Sequence, residues 1–364
     1  MFIHNAWYVI AEPQEIPRGT ALARTVLGTK IVLYRTESGQ PVAFIDACPH
    51  RHAPLSKGKI EGNCIRCPYH GSVYDETGRC VSVPGQRSSH GMNVALTRHP
   101  IIESYNYLWI WMGDPARADG GTSIPEWFAP AAPDQSVWQG RHDNFLAMPV
   151  YYELINDNLH DVSHVEFVHP ETLGTTVIPQ MHRMTAEEQS PRLNVTQQIG
   201  DRYIHRDFHA EDIQAGPILH QMLAYQREKS EWTENVDWDL AFRYSNPGYF
   251  LFNHRTKAVG EDDSKAIQIA SLHAVTPETE TTSHYFFYTA NNLAASSDRR
   301  AVFTKLCADG LVFAFNQDKV LISEQMKRVP DGGRISETLA KVSFMGDATP
   351  MLGRKMIRAQ FAEK

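Results

Sequence analysis

Two short segments, Cys48-Pro49-His50 and Cys67-Pro68-Tyr69-His70-Gly71, each pair one thiol with one imidazole, and sixteen residues lie between His50 and Cys67. Two Cys on one iron and two His on the other is a ligand set that holds a [2Fe–2S] cluster. Neutral imidazoles in place of anionic thiolates let such a cluster accept a single electron more readily than a four-Cys cluster does. Zinc takes the same ligand types, so a Cys2His2 zinc site is the competing reading. The C-x-H…C-x2-H order departs from that of zinc fingers, where Cys and His come as separate like pairs. Pro after each Cys, and Gly71 after the last ligand, suit tight loops whose backbone N–H groups approach sulfur. Cys64-x2-Cys67 is itself a metal-like pair, but Asn63-Cys64-Ile65-Arg66 reads as a strand with Cys64 buried rather than ligating.

A second constellation is Asp161-x2-His164-x4-His169. Two His and a carboxylate on one side of a mononuclear non-haem Fe(II) leave the opposite positions open for O2. The stretch from Tyr152 to His164 predicts a helix with Leu154, Asn158, Asp161 and His164 roughly on one face. Five residues advance about 500° around a helix, so His164 and His169 share a face only if the helix breaks after His164. Pro170 is consistent with an ending there. His160 and His164, four apart, are the more regular helical pair, so both pairs stay open on spacing alone. Two hydrogen-bonded core histidines would give the same spacing. His205-x3-His209 lies in a charged, strand-like run and reads as solvated or supporting histidines.

The elements that must position these residues follow from the rest of the chain. Its 364 residues suffice for two domains with full cores. Thirty-five Lys and Arg against 42 Asp and Glu leave a net charge of −7 without a basic, aromatic-rich stripe, which argues against a nucleic-acid partner. No apolar run reaches membrane-spanning length, so no membrane association is expected. The start, Met1-Phe2-Ile3-His4-Asn5-Ala6-Trp7, lacks the charged-then-apolar order of a secretory signal. Five scattered Cys do not make a disulfide framework, and a reducing cytoplasmic setting is expected.

From Phe2 to about Met112, runs such as Lys30-Ile31-Val32-Leu33-Tyr34 and Leu108-Trp109-Ile110-Trp111 alternate with turn pairs such as Ser38-Gly39, Thr77-Gly78 and Pro84-Gly85. They predict an all-β domain with both Cys/His loops at one end. The expected division is 1–115 for that domain, 116–140 for an Ala-, Pro- and Gly-rich connecting segment, and 141–364 for a second domain. Strand-like runs over 248–252, 266–270 and 283–289, and a long helix over 297–328, predict an antiparallel sheet flanked by helices. The fold class is therefore α+β. Phe, Tyr and Trp across 205–300 would suit a pocket for a flat aromatic compound, and equally an ordinary sheet core.

The chain resembles the terminal oxygenase component of the Rieske non-haem iron oxygenases, in the group of vanillate O-demethylase and toluenesulfonate methyl-monooxygenase. The segments that carry this run nearly end to end: Asn5-Ala6-Trp7-Tyr8-Val9, the two Cys/His loops, Asp157-Asn158-Leu159 through His164 to Val168-His169, Thr276-Pro277-Glu278 through Tyr285, and Phe315-Asn316-Gln317-Asp318. The resemblance implies a Rieske cluster on Cys48, His50, Cys67 and His70, and mononuclear iron on His164, His169 and Asp318. Nothing local singles out Asp318. The resemblance also marks Asn158 and Asp161 as catalytic positions, with Asp161 bridging His164 to His70 of a neighbouring subunit, as in a homotrimer. It places Asp239 and Gln268 near substrate-contacting positions. The extra Cys pair of respiratory-chain Rieske proteins has no counterpart, since Ala53 and Tyr69 stand there. Ser72 replaces a frequent aromatic residue and His160 a frequent apolar one.

The implied function is O2- and NAD(P)H-dependent monooxygenation of an aromatic compound, by O- or N-dealkylation or methyl hydroxylation. NAD(P)H and flavin would act only through a partner reductase, directly or through a ferredoxin. Ring dihydroxylation to a cis-diol, a Rieske electron carrier without chemistry of its own, and a zinc-bearing binding protein are the competing functions.

Overall fold

The computed structural model describes residues 1–85, 93–132, 138–141, 145–174, 193–214, 216–293, 296–328, 344 and 347–362. The chain forms two compact units, one of Met1–Ile124 with Thr276–Thr279, the other of Pro125–Val275 with Glu280–Lys364. The boundary between the units, after Ile124, falls inside the segment 116–140. Its first part belongs to the first unit, where Trp7 Nε1 donates to Asp119 Oδ1 at 2.7 Å, and residues 133–137 lie outside the described residues.

The first unit is built from strands β1 (Ala6–Ala11), β2 (Ala21–Val26), β3 (Thr29–Arg35), β4 (Pro41–Ile45), β5 (Lys59–Glu61), β6 (Cys64–Arg66), β7 (Val73–Tyr74), β8 (Cys80–Ser82), β9 (Ile101–Ser104) and β10 (Tyr107–Met112). They form three antiparallel sheets in the orders β1-β10-β9, β2-β3-β4 and β5-β6-β7-β8. Strand β3 explains why two cores form. Side chains alternate across a strand, so Ile31 and Leu33 enter one cluster with Tyr8, Ile10 and Ile110, while Val32 and Tyr34 enter another with Phe44, Leu55 and Tyr74. Cys48 and Cys67 belong to that second cluster.

The second unit carries β11 (Gln139–Arg141), β12 (Phe145–Met148), β13 (Leu193–Ile199), β14 (Tyr203–Ile213), β15 (Val236–Ser245), β16 (Tyr249–Ala258), β17 (Ile267–Pro277) and β18 (Ser283–Asn291). Their order is β11-β18-β17-β16-β15-β14-β13, with β12 also on β18, and the ladders from β13 to β17 are antiparallel. On β15, Val236, Trp238, Leu240, Phe242 and Tyr244 are buried and their alternates are not, the pattern of a sheet with one covered face. Five helices accompany the sheet among the described residues: α1 (Tyr152–His160), α2 (Val165–Val168), α3 (Pro217–Gln226), α4 (Ser297–Met326) and α5 (Ala348–Ala362). No helix among the described residues is long and apolar enough to cross a membrane.

Helix α1 corrects the expected break. The chain leaves helical geometry at Asp161 (φ −103°, ψ 92°), before His164 rather than after it. The Asp161 carboxylate accepts from the Ser163 amide at 2.9 Å and caps a new tight turn, Val162–His164. A short polar side chain that bonds its own neighbouring backbone competes in this way with continuation of the helix. Helix α5 pins α1 through Arg354, which forks onto both carboxylate oxygens of Asp157 (Nε to Oδ1, 2.8 Å).

Candidate metal centres

The two Cys/His loops close by the same backbone device. In the first, His52 N donates to Cys48 O (2.8 Å) and Cys48 N to Ala53 O (2.9 Å). In the second, Gly71 N donates to Cys67 O (3.2 Å) and Cys67 N to Ser72 O (2.8 Å). The residue four beyond each Cys takes positive φ, 55° at His52 and 74° at Gly71. A Cβ on Gly71 would also stand 3.0 Å from Pro84 Cγ, a tight contact, so this position favours glycine more than its counterpart His52 does. Asp46 braces the first loop by accepting from Ser56 N and Oγ, and Arg66 the second by donating to Gly71 O (3.0 Å).

These loops sort their ligand types. Cys48 and Cys67 are buried, and Cys48 Sγ lies 3.3 Å from Tyr74 Oη. Burial raises the Cys67 thiol, while the amides of Tyr69 and His70, aimed at its sulfur, oppose that rise. The His50 and His70 rings are exposed with centroids 4.7 Å apart. Thiols beside each other under the surface and imidazoles beside each other above it are what a two-iron cluster with one ligand type per iron requires. Cys64 is half-buried on β6, as a strand residue.

In the second unit His164, His169 and Asp318 each offer one ligand atom, all within 4.8 Å of one another. His164 arrives from the turn after Asp161, His169 from the end of α2, and Asp318 from α4. The outer nitrogens are taken: His164 Nδ1 donates to the Asp161 carbonyl (2.5 Å) and His169 Nδ1 to Gln317 Oε1 (2.9 Å). Both Nε2 lone pairs therefore face the Asp318 carboxylate, at 3.3 and 3.1 Å. Three acceptors turned on one point repel unless a cation sits among them, and two His with one carboxylate is a non-haem Fe(II) set. Asn158 Nδ2 adds a donor 3.1 Å from Asp318 Oδ1.

His160 is not brought to this point. It ends α1 buried against Tyr244, Phe250 and Phe242, so the helical pair His160/His164 does not form a site. Nor do His205 and His209 act together. The first packs on Trp127, and the second is held between Asp239 (2.6 Å) and Glu211 (3.1 Å). Asp161 meets His164 through its backbone carbonyl rather than its carboxylate.

A cavity of about 160 Å³ opens beside the three ligands, lined mainly by apolar side chains such as Leu173, Leu219, Phe252 and Phe315. Its polar walls are already tied together: Trp238 Nε1 donates to His254 Nδ1 (3.2 Å), and His273 lies between Ser271 Oγ (2.9 Å) and Tyr285 Oη (2.7 Å). Burial lowers His254 to about 4 and His273 to about 3, so both face the cavity uncharged at neutral pH. The expected substrate contacts Asp239 and Gln268 are corrected here. Trp238 and Ile269 line the cavity, and period-two alternation turns their neighbours Asp239 and Gln268 away. Asp239 instead pairs with His209 and Arg255, and Gln268 with Asn292. Sequence reasoning does not reach Gln317 or the His254 and His273 walls. Gln317 stands beside Asp318, but nothing local ties either to a histidine 148 residues away.

Residues 6–105 match the Rieske [2Fe–2S] domain family, and residues 148–363 the vanillate O-demethylase oxygenase C-terminal domain family. The toluene-4-sulfonate monooxygenase system iron–sulfur subunit of Comamonas testosteroni is 33% identical over 91% of each chain. The oxygenase component of chloroacetanilide N-alkylformylase from Rhizorhabdus wittichii is 31% identical over 91% of this chain and 88% of its own. The crystal structure of dicamba monooxygenase with non-heme iron and dicamba superposes with a TM-score of 0.77 at 26% identity, covering 100% of this chain and 98% of that one. With the thiols and imidazoles paired in one unit and an iron-type triad in the other, this chain belongs to the Rieske non-haem iron oxygenases that carry a vanillate O-demethylase-type C-terminal domain, and is an oxygenase component with a [2Fe–2S] cluster and a mononuclear iron.

Proposed function

We propose that this oxygenase removes or hydroxylates a methyl or other small alkyl group on an aromatic compound, as an O- or N-dealkylase or a methyl hydroxylase. The observation that carries this reading is the convergence of His164, His169 and Asp318 beside a largely apolar cavity of about 160 Å³, a volume suited to a single aromatic ring. The named relatives act on toluene-4-sulfonate, a chloroacetanilide and dicamba, all of them substituted benzenes.

In this proposal Cys48, Cys67, His50 and His70 hold the cluster, and His164, His169 and Asp318 hold the iron. When bound, the cluster supplies single electrons and the iron supplies O2 activation. The protein supplies the rest. Gln317 and the Asp161 carbonyl fix both ligand tautomers, Asn158 orients Asp318, and the apolar walls hold an alkyl group near the ligands while excluding water. His254, neutral through burial, offers a polar contact to a ring substituent without adding charge.

The partner is a reductase that draws on NAD(P)H through flavin, directly or through a ferredoxin. We further propose a cytoplasmic homotrimer in which the Asp161 carboxylate of one copy meets His70 of another. The exposure of His70 and Tyr69 is consistent with that contact.

The test is a panel of methoxy-, N-alkyl- and methyl-arenes turned over with NADH and a Rieske reductase. Formaldehyde or a benzylic alcohol, matched to O2 consumed, supports the proposal. A cis-diol without formaldehyde would reverse it in favour of ring dihydroxylation.

A further inference from the structure

Strand β14 places an arginine where its alternation calls for an apolar residue. Ile204, Phe208 and Ala210 are buried on the same face as Arg206, which is 9% exposed. A buried guanidinium ordinarily has a carboxylate beside it, because an unpaired charge in the interior is costly. Among the described residues no carboxylate pairs with Arg206. Its Nη1 donates to Thr349 Oγ1 (2.9 Å), its plane lies over the Phe208 ring (4.8 Å), and its Nε has no partner.

Beside it stands a second orphan. His160 is 4% exposed, and neither ring nitrogen has a partner. Burial, and then the charge of Arg206, push its pKa down to about 3, so the ring is neutral and carries one N–H. Arg206, His160 and Thr349 line a small chamber of about 10 Å³, otherwise walled by side chains such as Phe208 and Phe242. That volume admits roughly one water-sized particle. The lining residues carry one full positive charge and an excess of donors: Arg206 Nε–H, one imidazole N–H of His160, and the Thr349 hydroxyl, whose oxygen already accepts from Arg206.

We propose that this chamber is a binding site for one monatomic anion of halide size, held by Arg206 with His160 and Thr349. Charge excludes a cation, and volume excludes phosphate or a carboxylic acid. The site is separate from the metal centre but shares walls with its cavity, since Val162, Leu240 and Phe252 line both. An anion there would steady Val162, in the turn that carries His164.

Crystals of the iron- and cluster-loaded protein soaked in sodium bromide, measured at the bromine edge, test this directly. The expected result is an anomalous peak in the chamber that disappears in Arg206→Met. His160→Phe, which keeps the arginine but fills the space, should also lose it and covers the case in which Arg206→Met does not fold. In solution, replacing sulfate by 0.2 M chloride at constant ionic strength should raise the wild-type Tm by about 3 °C and leave both variants unmoved. A chamber holding only water, with no anomalous peak, or the same chloride response in wild type and variants, would overturn the proposal.

Discussion

Asn158 Nδ2 donates to Asp318 Oδ1 at 3.1 Å, joining α1 to α4 across 160 positions of sequence. The same amide lies 3.4 Å from His164 Nε2, so one side chain touches two of the three proposed iron ligands. A group that orients a ligand without binding the metal sets how well the site is formed before metal arrives. Asn158→Leu, close in size but without the donor, should lower iron affinity roughly 10- to 100-fold. Iron retained after a chelator challenge measures this, with the cluster's visible absorption as the internal control; unchanged retention would show that Asn158 only packs.

Much of this arrangement is legible in the amino-acid sequence, and the parts that are not share a physical cause. The Cys/His loops read directly because their ligands lie within a few residues of each other and tight loops have local signatures. His164 and His169 read as a pair only with a helix break, and that break falls earlier than their spacing suggests. Asp161 as a cap between α1 and the next turn depends on its bond to Ser163, which a periodicity count does not weigh. Asp318 and Gln317 sit on a 30-residue helix with no local mark, because their partners are brought by tertiary packing. Asp239 and Gln268 miss the cavity by a single residue. On a strand that is the difference between cavity and opposite face.

Asp161 carries two roles that one substitution separates. Its carbonyl holds His164, and its carboxylate caps the turn and is proposed to meet His70 of a second copy. Asp161→Asn keeps the backbone carbonyl and a capping oxygen, so both metals should stay bound. Turnover coupled to O2 should nevertheless fall at least roughly 10-fold, as expected when a group linking two ligand imidazoles is neutralised. Metal content and the ratio of product to O2 consumed measure the two parts. Normal coupled turnover would remove the carboxylate from the link between subunits.

Acid should destabilise the second unit through histidines far from the surface. Burial lowers His160 and His273 from 6.5 to about 3. A depressed folded pKa means that the stabilising contribution is complete above pH 6.5 and is lost as pH falls from 6.5 towards 3. Each of these histidines, and His254 with them, then adds roughly 1 kcal/mol per pH unit to the loss. Denaturant midpoints between pH 4.5 and 7 would measure the slope. His273→Gln, which keeps a polar side chain beside Ser271 and Tyr285, should remove about a third of it; a slope indifferent to that change would place the proton uptake elsewhere.

Iron content of the wild type and His169→Ala, read together with the visible spectrum, decides whether the second unit holds an iron on His164, His169 and Asp318. His169 is 1% exposed, and its two ring nitrogens are engaged by successive residues of α4, Gln317 and Asp318, so no other residue can stand in for it without rebuilding the site. The wild type should hold about three irons per chain, two in the cluster and one in the second unit, and the variant about two with the cluster absorption unchanged. A variant that keeps its third iron, or a wild type that carries zinc in place of iron, would contradict the account.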